Sequence, residues 1–191
     1  MILARMDPDR GEITGLLNAL RDGEPHAESR LIALIYPTLR RIAYKHMRCE
    51  REDHTLQATA LVHEAYMRLA GRPMDFKDRN HLYAAAAQAM RQILVDYARQ
   101  HRSAKRGGSY QRIDLEGVCA HPGPQPEKFV SLDEALSRLA EWDARQSQIV
   151  ELRYFGGLTE EEIADILGVS VRTVKREWRL AKAWLYAEIG K

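Results

Sequence analysis

Residues 158–178 read LTEEEIADILGVSVRTVKREW, and this stretch decides the fold. Thr159 and Glu162 have the spacing of a capping box, which predicts that a short helix begins here. Gly168 stands where a tight turn needs a residue that tolerates a positive φ. Ser170 then caps a second, longer helix. The stretch therefore predicts a helix-turn-helix.

The residue types inside this motif favour DNA binding. Ala164 is small enough for the two helices to cross closely, and apolar residues face inward from both helices: Ile163, Leu167, Val169 and Val174. The second helix begins with side chains that can contact phosphates and base edges in a major groove. We predict that the DNA-binding residues here are Arg172, Thr173, Lys175, Arg176 and Arg179.

The rest of the chain also has helical periodicity. Apolar residues recur at intervals of three and four over residues 13–20, 31–46, 61–69 and 82–97. Asn80 is a candidate N-cap of the fourth of these helices. No alternating strand pattern stands out, so we expect an all-α protein.

Residues 107–128 interrupt the helical pattern. Pro122, Pro124 and Pro126 alternate with other residues, which defeats helix and most sheet. Periodicity returns at Ser131, where a second capping box begins. We interpret the segment as a flexible linker between two all-α domains.

The net charge of +2 conceals a segregated pattern. Residues 1–106 hold 18 basic and 13 acidic side chains, residues 107–162 hold 5 and 11, and residues 163–191 hold 6 and 3. Two basic segments therefore flank an acidic one, and such segregation creates local positive fields. The acidic segment suggests a further hypothesis, that the linker and the helices after it lie near the basic face of the first domain.

Several classes of protein are disfavoured. No apolar run approaches the roughly 18 residues needed to span a bilayer, and the first residues lack the pattern of a signal peptide. Two cysteines, Cys49 and Cys119, are too few for a disulfide framework and favour a cytoplasmic protein. His63-Glu64 lacks the second histidine of a zincin motif. We therefore predict no catalytic site, no metal and no cofactor.

Three stretches together resemble a known family, the extracytoplasmic-function (ECF) group of bacterial RNA polymerase sigma factors. Residues 60–69 (ALVHEAYMRL) resemble the helix that binds the polymerase clamp. Residues 80–99 resemble the helix that melts and reads the minus-ten element. Residues 151–159, followed by the helix-turn-helix, resemble region four, which reads the minus-thirty-five element. The resemblance covers about residues 10–187.

This resemblance implies a domain plan and site residues. Region two would span residues 10–106, and region four would span 129–188 after a linker at 107–128. The residues expected to contact the clamp of the largest polymerase subunit are Leu61, Val62, Glu64, Tyr66 and Arg68. Those expected to bind promoter DNA in region two are Phe76, Lys77, Arg79, Asn80, Arg91, Arg99, Arg102, Lys105 and Arg106. Region four would also contact the flap of the second-largest subunit, and the resemblance allows for an anti-sigma protein as a partner.

A helix-turn-helix regulator that binds operators without polymerase is the alternative. Such a protein would bind DNA tightly by itself, as a dimer on symmetric half-sites. The clamp-like helix and the two-domain plan favour the sigma factor.

Overall fold

The computed structural model describes residues 9–47, 58–70, 76–104 and 127–189, and every element in these ranges is helical. The amino-terminal half contains α1 (Asp9–Arg21), α2 (Ala27–Met47), α3 (Ala58–Ala70) and α4 (Arg79–Ala104). The carboxyl-terminal half contains α5 (Glu127–Trp142), α6 (Ala144–Val150), a π-helical segment (Glu151–Phe155), α7 (Glu160–Leu167) and α8 (Val171–Ile189). The all-α prediction is confirmed.

Two predicted helix starts were wrong. The first turn of α4 is capped by Asp78, whose Oδ1 accepts a hydrogen bond from the backbone N–H of His81 at 2.8 Å, and Asn80 lies within the helix. Helix α5 begins at Glu127, so Ser131 lies inside the helix and is not its N-cap. Phe129 is completely buried, and its packing accounts for a helix that starts before the local capping signal.

The two halves share one continuous apolar core. Along the amino-terminal half, each helix packs on the next, from α1 to α4. Helix α4 then contacts α5, the π-helical segment and α7. The acidic helices after the linker therefore lie on the basic helix α4, in agreement with the charge hypothesis, whereas residues 107–126 of the predicted linker lie outside the described residues.

Two glycines allow the halves to approach closely. A Cβ on Gly156 would lie 2.9 Å from the Cβ of Ala87 on α4 and 2.5 Å from the carbonyl oxygen of Leu152. Gly157 has a φ of +59°, which favours glycine, and a Cβ there would lie 3.1 Å from Ile42 of α2. The Gly-Gly pair after the π-helical segment thus lets its backbone pack against two helices of the other half.

His46 of α2 is inserted among aromatic residues of the carboxyl-terminal half. Its ring centroid lies 6.1 Å from that of Phe129, 5.2 Å from that of Tyr154 and 5.8 Å from that of Phe155. The Nε2 atom is buried and has no hydrogen-bond partner among the described residues. Burial, together with the smaller effect of the positive charges on Lys45 and Lys128, lowers the pKa of His46 to about 3. The imidazole is therefore neutral where the halves meet.

Candidate nucleic-acid interface

The capping box at the start of α7 forms as predicted. The Oγ1 of Thr159 accepts a hydrogen bond from the N–H of Glu162 at 3.2 Å, and the Oε2 of Glu162 accepts one from the N–H of Thr159 at 2.9 Å. Two of the amide groups that a helix start leaves unpaired are satisfied in this way.

The turn between α7 and α8 is also as predicted. Gly168 has a φ of 64° in the left-handed region, and the N–H of Val169 donates to the carbonyl of Ala164 at 3.0 Å. The Oγ of Ser170 accepts a hydrogen bond from the N–H of Thr173 at 3.1 Å, which caps α8. Local backbone chemistry therefore fixes the angle between the two helices.

Apolar burial holds the motif on the rest of the half. Ile163, Ala164 and Val174 are buried, and Leu167 and Val169 are partly buried against the core. The predicted inward face is therefore correct, with its two turn-proximal members only partly covered.

Four of the five predicted DNA-binding residues of α8 are exposed: Arg172, Lys175, Arg176 and Arg179. Thr173 is half-buried beside Ser170. Together with Glu160 and Trp178, the five line one shallow depression along the start of α8. The structure thus brings all five predicted residues together on one surface.

Carboxylates of the same half orient part of this surface. Glu160 of α7 pairs with Lys175 at 3.4 Å and with Arg153 at 2.6 Å. Burial alone would raise the pKa of Glu160, but hydrogen bonds and charge from Arg153 and Lys175 outweigh it and lower that pKa. The nearly buried Glu177 accepts a hydrogen bond from Arg176 at 2.8 Å. These partners position the cationic side chains but leave them accessible.

The arginines of α4 have a different environment. Arg79 pairs with Glu162 at 3.0 Å, and its side chain is only 6% exposed. Arg91 pairs with Asp133 at 2.8 Å and with Glu151 at 2.6 Å. All three carboxylates belong to the carboxyl-terminal half, so these predicted DNA-binding residues are bound within the chain.

The remaining predicted residues of this region are dispersed. Arg99 also pairs with Asp133, at 3.2 Å, but is 57% exposed. Phe76 is buried with its ring nearly perpendicular to that of His81, and its carbonyl oxygen accepts a hydrogen bond from Arg21 at 3.1 Å. Lys77 is exposed and Asn80 is half-buried. The side chain of Arg102, and Lys105 and Arg106 entirely, lie outside the described residues.

The predicted polymerase-binding residues of α3 divide into two sets. Leu61 and Val62 are buried in the core, where they pack the helix and present no surface. Glu64 is exposed and pairs with Arg68, which also reaches Asp96 of α4 at 3.0 Å. Tyr66 is half-buried, and its hydroxyl donates to Glu28 at 2.7 Å. The accessible part of α3 is therefore narrower than predicted.

Some residues of these surfaces were not predicted. Met67 of α3 is 63% exposed, three positions after Glu64 on the same helix. Arg21 and Asp133 position site residues through contacts between distant parts of the chain, and Arg153 does so through Glu160, seven residues away. The segregation of charge along the sequence signalled the pairing of Asp133 with Arg99 but did not identify its members.

The described ranges contain neither a membrane-spanning helix nor a cluster of metal-ligating side chains. None of their helices combines the length and apolarity needed to cross a membrane. Among the same residues, no three His, Cys, Asp or Glu side chains cluster so that they could hold a metal ion. Cys49 and Cys119 lie outside the described residues.

Comparison with known proteins identifies the family. The family model described as ECF sigma factor matches residues 10–191, which is nearly the whole chain. No match was found among curated proteins. The all-α fold and the helix-turn-helix agree with the family match. The chain therefore belongs to the ECF sigma factor family, whose members act in transcription initiation.

Proposed function

We propose that this chain binds the RNA polymerase core and directs it to promoters by contacting DNA at two separate elements. The family is one of sigma factors and not of enzymes. The observation that carries the proposal is the exposed cationic start of α8 on a helix-turn-helix whose caps and turn are complete.

The upstream element, at minus thirty-five, is read by α8. Arg172, Lys175, Arg176 and Arg179 enter the major groove, and each good bidentate base contact contributes roughly 1–3 kcal/mol of discrimination. Because Arg176 is held by Glu177, its guanidinium has a restricted set of positions. This restriction lowers the entropy lost on binding a base edge.

The downstream element, at minus ten, is bound by α4 and the loop before it. Arg91 and Arg99 bind the duplex backbone and the opened strand, together with Arg102, Lys105 and Arg106. The loop that ends at Arg79 accepts an extruded base, and Arg21 supports this by fixing the carbonyl groups of Phe76 and Lys77. Aromatic and cationic groups suit unpaired DNA because bases stack while phosphates are neutralised.

The polymerase clamp is bound by the accessible side of α3. Glu64, Tyr66 and Arg68 supply polar contacts, and the exposed Met67 supplies an apolar one. Leu61 and Val62 support this surface from beneath. The carboxyl-terminal half contacts the flap of the second-largest subunit, so that two linked sites gain from each other's effective concentration.

The test is transcription in vitro. Purified core polymerase, with and without the chain, is given a library of DNA fragments, and the transcript 5′ ends are sequenced. We expect defined start sites with shared upstream sequences only when the chain is present. A chain that bound DNA tightly as a dimer but gave no new start sites would be a polymerase-independent regulator instead.

A matched pair of variants locates the clamp contact. Met67→Asp places a charge on the exposed apolar position of α3, and we expect it to weaken core polymerase binding at least tenfold. Tyr44→Asp is the control, because Tyr44 is a similarly exposed large side chain, on α2. Equal losses for both variants would remove α3 from the interface.

A further inference from the structure

Two of the exposed cations on α8 are held by carboxylates of the same half. Arg176 donates to the Oε1 of Glu177 at 2.8 Å, and the ammonium of Lys175 lies 3.4 Å from the Oε2 of Glu160. Both carboxylates are themselves fixed in place. The side chain of Glu177 is only 5% exposed, and the other oxygen of Glu160 accepts a hydrogen bond from Arg153 at 2.6 Å. Both cations are therefore positioned before DNA binds.

Arg172 and Arg179 lie on the same surface without such a partner. Both are exposed, and no carboxylate of the described residues forms an ion pair with either of them. A long cationic side chain that nothing holds loses much rotamer freedom when it is fixed in one position. A contact with a phosphate carries no sequence information and tolerates many positions, whereas a bidentate contact with a base edge requires one geometry. These two arginines are therefore suited to phosphates.

The carboxylate beside Arg176 also affects which part of DNA this residue binds. A guanidinium has five N–H donors, so one hydrogen bond to Glu177 leaves donors for the O6 and N7 atoms of guanine. A phosphate at the same guanidinium would come close to the negative charge of Glu177, and like charges brought together cost free energy. The pair therefore favours a base edge over the DNA backbone.

We propose that Glu177 and Glu160 are positioning residues, which make Arg176 and Lys175 readers of guanine while Arg172 and Arg179 contact phosphates. The proposal rests on the proposed function, since it takes α8 to be the helix that reads the upstream element. It adds which cations of that helix determine the sequence that is read.

The test is a selection of duplexes by the full chain without polymerase. A library with randomised positions is equilibrated with the chain, and the bound duplexes are sequenced to give the base preference at each position. For Arg176→Ala we expect the preference for guanine at one position to fall about tenfold, and for Glu177→Gln about fivefold at the same position. The double variant should lose no more than Arg176→Ala, because Glu177 acts through Arg176.

The same pairing is tested at the second carboxylate. Lys175→Ala and Glu160→Gln should lower the guanine preference together at one other position, and their double variant should again lose no more than Lys175→Ala. If either glutamine variant loses helicity by circular dichroism, Arg176→Lys replaces it, since Arg176 is 62% exposed. Lysine keeps the charge but lacks the planar fork, so the guanine preference should fall about fivefold while the salt slope stays constant.

The matched controls are Arg172→Ala and Arg179→Ala. Each should leave every base preference within about twofold, weaken binding to all sequences alike, and lower the salt slope by about one released counterion. A base preference that disappears in either control would overturn the division of the four cations.

The carboxylates have a second critical outcome. If Glu177→Gln weakened binding to all sequences alike, or if its loss added to that of Arg176→Ala, the residue would support the helix and would not position Arg176. None of these measurements uses polymerase. An absence of promoter-dependent transcripts would therefore reject the sigma-factor mechanism and leave the assignment of the α8 residues standing, whereas a wild-type chain that selected no sequence would reject the assignment itself.

Discussion

Helices α4 and α8 carry the same kind of cationic side chain in opposite situations. The side chains of Arg79 and Arg91 on α4 are 6% and 16% exposed, and carboxylates of the other half bind both. On α8, Arg172 and Arg179 are exposed, and Arg176 is 62% exposed although it has a carboxylate partner in its own half. The number of arginines on a helix therefore does not tell how much positive surface the protein offers.

Position in the fold explains the difference. Helix α4 is central and contacts α3 and α5 as well as the π-helical segment, so its basic face meets the acidic segment of the chain. Helix α8 buries one face, at Trp178 and Leu185, and its other face remains open. The free chain thus exposes cationic side chains on α8 and covers two of the arginines of α4.

The largest expected effect comes from removing the cationic side chains that are exposed on α8. Replacement of Arg172, Lys175, Arg176 and Arg179 by alanine should lower affinity for an upstream-element duplex about a thousandfold, if each loss costs about 1 kcal/mol. Fluorescence anisotropy on the full chain measures this. Arg138→Ala removes an exposed cation from α5 and should change affinity less than twofold. A small loss in the quadruple variant would mean that α8 is not the exposed reader.

The second-largest effect concerns Gly156, where the carboxyl-terminal half packs closely against α4. Gly156→Ala places a Cβ 2.9 Å from Ala87 and 2.5 Å from the carbonyl of Leu152, so we expect a loss of about 2–3 kcal/mol in the free energy of unfolding. Gly15→Ala in α1 meets no described atom within 4 Å and should stabilise by about 0.5–1 kcal/mol. Urea unfolding compares the two. Similar values would contradict the tight contact between the halves.

A smaller effect should follow from pH. Because the pKa of His46 is about 3 while the two halves are packed together and near 6.5 when solvated, the packed state is fully favoured above pH 6.5 and weakens as pH falls toward 3. From pH 7.5 to 5.5 the equilibrium constant for separation of the halves should rise about tenfold. The other charged or titratable groups around the ring, Lys45, Lys128 and Tyr154, are of types that ordinarily titrate well above this range.

The variant His46→Phe isolates this effect. It keeps an aromatic ring among Phe129, Tyr154 and Phe155 and cannot gain a proton. The ratio of wild-type to variant affinity for a random-sequence duplex should therefore rise about tenfold over that pH range. A ratio that stays constant would show that separation of the halves does not solvate His46.

The smallest expected effect is at Arg99, the most exposed of the α4 arginines whose ion pairs are described above. Arg99→Ala removes one ion pair of 3.2 Å from a side chain that is 57% exposed, and exposed pairs contribute little. DNA binding by the free chain should change less than twofold, because Asp133 already holds this guanidinium. With polymerase, promoter opening should fall several-fold, measured by permanganate footprinting. A large loss already in the free chain would mean that α4 is open there.

The helix-turn-helix could be predicted almost to the residue because its signals are local. Capping by Thr159 and Ser170 and the positive φ of Gly168 depend on neighbours within a few positions. The start of α4 was mispredicted because Asp78 and Asn80 are both good caps and only the packed structure selects between them. The local sequence therefore identified a helix cap correctly where only one candidate cap was present.

From the sequence, only a general attraction between the two halves could be predicted, and not the residue pairs that make the contacts. The charge blocks indicated that an acidic segment would approach a basic one, but Arg79 and Glu162 are 83 residues apart in sequence. Burial of Leu61 and Val62 likewise depends on α2 and α4, since one face of an amphipathic helix does not reveal how wide its covered stripe is. Contacts between residues that are far apart in sequence can be identified only from the folded structure.

The carboxylate of Glu162 divides its two oxygens between two tasks. Oε2 completes the capping box of α7, and Oε1 holds Arg79 of the other half. For anyone exchanging helix-turn-helix modules between sigma factors, this residue is the junction to preserve. A graft that keeps glutamate here retains both contacts, whereas one that carries glutamine can still complete the capping box but loses the ion pair with Arg79.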